Sequence, residues 1–82
     1  MMKVRAQFFS RLKDVTGCAE REIELRDGAT VQDLLAKLFD EFPGLAEWNA
    51  HILTAVAVEY VGREEVLKEG NSIAIMPPVQ GG

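Results

Sequence analysis

Alternation of apolar and polar residues is the first pattern in the chain. In residues 3–9, Val4, Ala6 and Phe8 fall on one face, the period of two that is typical of a half-buried strand. Residues 21–25 repeat this alternation, and two later segments are rich in the β-branched and apolar residues that strands favour. The pattern predicts strands at 3–9, 21–25, 52–62 and 72–76, with a short edge strand at 64–67.

Helical spacing marks one long segment between the second and third predicted strands. Thr30 is a suitable N-cap and Asp33 follows it by three residues, as in a capping box, while Pro43 and Gly44 end the periodic run. A shorter helix is predicted between Ser10 and Gly17. The apolar stripe of the long helix consists of Val31, Leu34, Leu35, Leu38 and Phe42.

The order strand, strand, helix, strand, short strand, strand indicates a fold class. The stripe of the helix needs an apolar surface to cover, and the strands supply the only large one. We expect an α+β protein of the β-grasp, or ubiquitin-like, type, with a mixed sheet whose first and last strands pair in parallel at the centre. Residues 1–76 form the predicted domain, and residues 77–82 form an extended C-terminal tail.

Parity along the strands predicts which residues occupy the face of the sheet that the helix leaves open. Residues that alternate with the core positions point away from the helix. An open face with large apolar residues is a candidate docking surface, although isolated apolar residues are also normal on protein surfaces. The predicted open-face residues are Phe9, Ala55, Ala57, Ala74 and Met76.

Composition narrows the classes of function. The chain has 82 residues, which suits one small domain, and a net charge of −4 without a basic cluster, so nucleic acid is not an expected partner. The single cysteine, Cys18, excludes an internal disulfide and fits a reducing cytoplasm. We expect no metal site, no export leader and no membrane segment, since no apolar stretch approaches the ~20 residues that a membrane helix requires.

Recognisable catalytic motifs are absent from the sequence. Cys18 is most simply an ordinary small residue, and Trp48 and His51 are most simply loop or packing residues. The ending "IAIMPPVQGG" is unusual, because paired prolines and a terminal Gly-Gly follow an apolar strand. Six extended residues can reach about 20 Å, and glycine leaves the terminal carboxylate unhindered. Activation by ATP would make that carboxylate an acyl donor to a sulfur donor or to an amine, with the protein itself as substrate.

The chain resembles a known family at "KVRAQFFSRLKDVTG", "ATVQDLLAKL", "AVAVEYV" and above all "IAIMPPVQGG". This is the MoaD/ThiS sulfur-carrier family, and the Pro-Pro-Val-x-Gly-Gly ending favours its branch of small subunits of molybdopterin synthase. Ala57 departs from the family pattern, which often has Asn there, and Gln80 stands where Ser or Thr is common.

The resemblance implies a cycle that uses partners and no bound cofactor. A ubiquitin-activating-type enzyme would adenylate Gly82 with ATP, and a sulfur donor would convert it to a thiocarboxylate. The tail would then enter the large synthase subunit, whose side chains supply the acid–base chemistry, and pass sulfur to cyclic pyranopterin monophosphate. The resemblance also implies a complex of two carriers with two large subunits.

Roles for particular residues also follow from the resemblance. The residues that position the tail would be Pro77, Pro78, Val79, Gln80 and Gly81, and those that contact partners would be Phe9, Tyr60 and Met76. Strict alternation along 52–62 instead places Tyr60 on the core face. The alternatives are a ubiquitin-like modifier joined to lysines through Gly82, a sulfur carrier for thiazole or other products, and a binding module with a frayed tail.

Overall fold

The computed structural model describes residues 1–78, in which five strands form one mixed sheet in the order β2-β1-β5-β3-β4. β1 and β5 pair in parallel at its centre, and the other neighbours are antiparallel. The predicted β-grasp is confirmed. The strands are β1 (Met2–Phe8), β2 (Glu20–Leu25), β3 (Leu53–Val56), β4 (Glu59–Val61) and β5 (Ser72–Met76); the helices are α1 (Arg11–Thr16), α2 (Val31–Glu41), α3 (Pro43–Ala46) and a 3₁₀ turn (Asn49–His51).

The core lies between one face of the sheet and the helices. Alternate residues of β1 and β5 point into it, and the apolar stripe of α2 covers them. Leu34, Leu35 and Leu38 of this stripe are completely buried. Within residues 1–78, no helix is long and apolar enough to cross a membrane.

The predicted capping box begins α2. The backbone N–H of Asp33 donates to Thr30 Oγ1 at 3.3 Å, and the backbone N–H of Thr30 donates to the Asp33 carboxylate at 2.9 Å. This last hydrogen bond, helped by the Thr30 hydroxyl and the nearby Arg26 guanidinium, lowers the pKa of Asp33 despite some desolvation. The capping box therefore fixes the first residue of α2, and with it the side of the helix that faces the sheet.

The prediction of a single strand over 52–62 is wrong, because this segment is the hairpin β3–β4. Its two-residue turn consists of Ala57 and Val58, which have positive φ values of 52° and 60°. Such turns normally use Asn, Asp or Gly. Since neither residue is a turn former, the apolar run gave no sign of the reversal, and Ala57 lies in the turn instead of on the open face.

The segment 64–67 does not form the predicted edge strand. Val66 makes one isolated bridge to Thr30, and Arg63 fastens the beginning of the segment to the helical side of the molecule. The Arg63 guanidinium donates to the side-chain oxygens of Gln32 at 3.2 Å and Asn49 at 2.9 Å. This connection thus runs over the start of α2 before it enters β5.

Candidate functional site

The end of β5 opens into a groove of about 810 Å³. Because β1 and β5 are parallel, both strands end at the same edge of the sheet, and the Phe9 N–H donates to the Ile75 carbonyl at 3.2 Å. The chain therefore leaves the sheet beside the start of α1. The groove is lined by Phe9, Ser10, Arg11, Trp48, Met76, Pro77 and Pro78.

Phe9 forms one wall of this groove. Ser10, with a positive φ of 52°, turns the chain sharply after β1, and the Phe9 carbonyl accepts from the Leu12 N–H at 3.1 Å as α1 begins. Phe9 is 45% exposed even though it follows directly on a buried strand. The sequence predicted Phe9 as an exposed residue of a strand over 3–9; in the structure β1 ends at Phe8, and Phe9 lies in the groove with Met76 and Pro77.

Trp48 lines the same groove, although the sequence indicated only a loop or packing residue. It lies between α3 and the 3₁₀ turn, two short elements that residue periodicity did not reveal. Its side chain is half-buried and packs against the core. The only available signal was that it is the single tryptophan of the chain.

The open face of the sheet carries an apolar patch, here called the open-face patch, made of Leu53, Ala55, Tyr60, Ala74 and Met76. Leu53 pairs with Met76, and Ala55 pairs with both Ala74 and Tyr60, so these residues share a face. Tyr60 is 69% exposed. The hairpin reverses the chain and brings Tyr60 to this face, which corrects the core position expected from a continuous strand.

Charged residues continue the open face beyond β5. The outward positions of β1 carry Lys3 and Arg5, which pair across the ladder with Glu24 and Glu22 of β2. Arg5 also lies 3.6 Å from the carboxylate of Glu20. A partner that covers the open-face patch therefore meets an apolar centre next to a region of mixed charge.

Only part of the predicted tail falls within the described structure. Pro77 and Pro78 follow β5 and are half-buried in the groove. The predicted residues Val79, Gln80, Gly81 and Gly82 lie outside the described residues.

Other groups with chemical potential lie apart from the groove. Cys18 is a free, half-buried thiol beyond α1, and its Sγ lies 3.8 Å from Thr16 Oγ1. Residues 1–78 contain no group of three or more His, Cys, Asp or Glu residues that could hold a metal ion. The described residues thus form a groove with two aromatic residues at the end of β5, next to an apolar patch on the open face of the sheet.

The sequence is similar over nearly its whole length to proteins of one family. The model of the ThiS family matches residues 6–82. A molybdopterin synthase sulfur carrier subunit from Chlamydomonas reinhardtii is 36% identical over 99% of this chain and 100% of its own length. Small archaeal modifier protein 3 from Haloferax volcanii is 32% identical over 99% and 100% of the two chains.

The fold is also similar to solved structures of molybdopterin-converting factor subunits. A Pyrococcus furiosus protein assigned as molybdopterin converting factor subunit 1 superposes with a TM-score of 0.88 at 32% identity, over 96% of this chain and 100% of its own. A chain in the complex of subunits 1 and 2 of the molybdopterin-converting factor from Helicobacter pylori superposes with a TM-score of 0.73 at 28% identity, over 99% and 100%. The protein therefore belongs to the ThiS family and is a homologue of the sulfur carrier subunits of molybdopterin synthase.

Proposed function

We propose that this protein is the sulfur carrier of a molybdopterin synthase and that Gly82 carries the sulfur as a C-terminal thiocarboxylate. The observation that carries the proposal is end-to-end similarity to sulfur carrier subunits in a chain that ends in Pro-Pro-Val-Gln-Gly-Gly. The groove at the end of β5 supports it, because the chain leaves the domain at an accessible edge of the sheet.

The proposed cycle begins with activation of the terminus. A carboxylate oxygen of Gly82 attacks the α-phosphorus of ATP, pyrophosphate leaves, and an acyl-adenylate forms on a ubiquitin-activating-type enzyme. Sulfide supplied by a sulfur donor then attacks the acyl carbon, AMP leaves, and the terminus becomes a thiocarboxylate. In the large synthase subunit, sulfur passes to cyclic pyranopterin monophosphate, and water restores the carboxylate of Gly82.

The carrier's own residues bind and present the terminus in this cycle, while acid–base catalysis belongs to the large subunit. Glycine at the last two positions lets the tail pass through a narrow channel without side-chain obstruction. Pro77 and Pro78 restrict the backbone at the base of the tail, and Val79 and Gln80 complete the segment that enters the partner. No cofactor resident in this chain is required.

Two partner proteins follow from this role, and we propose that both recognise the same side of the carrier. Phe9, Tyr60 and Met76 would contact the large subunit or the activating enzyme, since they are accessible around the open-face patch and the groove. Support comes from the Helicobacter pylori complex, in which a similar subunit 1 is bound to subunit 2. We further propose a complex of two carriers and two large subunits, acting in the cytoplasm.

A second function is favoured by one specific relative. The similarity to small archaeal modifier protein 3 extends over the whole chain, so Gly82 of this protein could also be joined to lysine amines of other proteins. Both functions use the same activated terminus and differ in the nucleophile that accepts it. Conjugates of high mass that disappear when Gly82 is deleted would establish the modifier role; native lysate without them would argue against it.

Two variants of the terminus test the proposed carrier function. Deletion of Gly82, or addition of one alanine after it, should abolish sulfur transfer to cyclic pyranopterin monophosphate in an assay with the large subunit. The fold should be unchanged, because the core lies within residues 1–78, and circular dichroism checks this. Val66→Ala, at an exposed site outside the groove, is the control that should retain full activity. Sulfur transfer by the extended variant would refute the proposal.

A further inference from the structure

Trp48 and Phe9 are the two aromatic residues that line the groove from which the tail leaves. Pro77 and Pro78 line it as well and are half-buried there. Aromatic side chains offer large, stiff apolar surfaces, and proline has a fixed φ, so both sides of this arrangement have little conformational freedom. The two aromatic residues and the two prolines therefore line one groove, and a contact between them would cost little conformational entropy.

Both aromatic residues are held by fixed backbone. The Trp48 N–H donates to the carbonyl of Leu45 at 3.0 Å, and the Trp48 carbonyl accepts from the His51 N–H at 2.7 Å. Leu45 is completely buried, which ties this turn to the core. Phe9 is anchored in the same manner by its bonds to Ile75 and Leu12. The groove is thus part of the folded domain and does not depend on a partner to form.

We propose that Trp48, together with Phe9, is a positioning residue that holds Pro77 and Pro78 at the end of β5. The inference rests on the proposed sulfur-carrier function. When Pro77 and Pro78 are already held, fewer residues of the tail have to be ordered as it enters a partner's channel. One backbone residue ordered beforehand is worth roughly a five- to thirtyfold gain in affinity.

Fluorescence of Trp48 tests the contact without any activity assay, because the chain contains no other tryptophan. A chain that ends at Met76 should show a red-shifted emission maximum and stronger quenching by acrylamide, since removal of the prolines exposes the indole ring. A chain that ends at Pro78 should retain the emission of the full chain. Unchanged emission in both truncations, or an equal change in both, would overturn the proposal.

The second test asks whether Trp48 strengthens binding of the carrier to a partner. It uses a purified ubiquitin-activating-type enzyme that accepts the full chain. In ATP–pyrophosphate exchange, Trp48→Ala should raise KM for the carrier about fivefold with little change in kcat, because more of the tail must be ordered on binding. Trp48→Phe keeps an aromatic wall and should restore most of the affinity. An unchanged KM in Trp48→Ala would contradict the positioning role.

Phe39→Ala controls for a loss of stability alone. Phe39 is another half-buried aromatic residue packed against the core, but it does not line the groove. The Phe39→Ala variant should lower the thermal stability as Trp48→Ala does and leave KM unchanged. An equal rise in KM in both variants would reject the proposal.

If no activating enzyme accepts the full chain, the proposed function fails. The fluorescence of the two truncations still decides whether the prolines cover Trp48.

Discussion

At the scale of single residues, a few backbone conformations reduce the stability of this protein. Val58 is the clearest case, because a β-branched residue with a φ of 60° occupies a region that L-residues other than glycine, asparagine and aspartate rarely adopt. Its side chain is fully exposed and recovers none of that strain through packing. The hairpin turn is thus a site where the natural residue costs stability.

Replacement of Val58 by glycine should stabilise the fold. Relief of the left-handed conformation outweighs the added flexibility of the unfolded chain, so the free energy of unfolding should rise by about 0.5–1 kcal/mol. Urea denaturation measures this. Val66→Gly is the matched control: Val66 is also exposed but lacks a positive φ, and the same change there should lower stability. A loss of stability in Val58→Gly would contradict the assignment of strain.

Asp33 gives the molecule a stability term that depends on pH. Its pKa is lowered in the folded protein, chiefly by the hydrogen bond from the Thr30 backbone, so the folded state favours the ionised carboxylate. This contribution is complete above the ordinary pKa of 3.8 and is lost as the pH falls through the lower folded value. Wild type should therefore be more stable than Asp33→Asn at pH 7.

Below pH 3.8 the two proteins should converge in stability. Urea denaturation at several pH values measures the difference between them. A gap between wild type and Asp33→Asn that stays constant down to pH 2 would disprove the role of the ionised cap.

At the scale of elements, predictions from the sequence succeeded where one periodicity extends over a whole segment. β1, α2 and β5 each have a clear hydrophobic period, a recognisable cap or a turn signal, and all three lie where the pattern placed them. The hairpin β3–β4 was missed because Ala57 and Val58 have no turn chemistry. The position of Trp48 in the groove was not predicted, because α3 and the 3₁₀ turn are too short to show a period.

The hairpin determines what the open face presents to a partner. It places Tyr60 opposite Ala55 and adds an exposed aromatic ring to the open-face patch. Tyrosine at the centre of an interface often carries a large share of the binding energy. We therefore expect this residue to matter more for partner binding than for folding.

Tyr60→Ser should weaken binding of the large subunit about tenfold, because tyrosine is enriched among the few interface residues whose truncation costs more than about 1 kcal/mol. Isothermal titration calorimetry with the purified large subunit measures the effect. The thermal stability of the free carrier should change little, since Tyr60 is exposed there. Val66→Ser, at another exposed apolar residue outside the open-face patch, should bind like wild type. If Tyr60→Ser and wild type bound the large subunit with equal affinity, the proposed contact of Tyr60 would be contradicted.

At the scale of the whole molecule, the folded domain and the chemical terminus have separate tasks. The domain supplies a stable scaffold, an apolar face and a groove with aromatic walls, and all of these lie within residues 1–78. The proposed reaction takes place at Gly82, and its catalytic groups belong to other proteins. This division explains why the ending alone suggested Gly82 as the reactive residue, whereas the groove beside Pro77 and Pro78 became visible only in the fold.

The central claim is that Gly82 carries sulfur, and an intact-mass spectrum with a C-terminal peptide map tests it most directly. The protein should be taken from its native cells under reducing, non-acidic conditions. A species in which one carboxylate oxygen of Gly82 is replaced by sulfur is the predicted result. A terminus that stays a plain carboxylate, even after incubation with an activating enzyme, ATP and a sulfur donor, would contradict the claim.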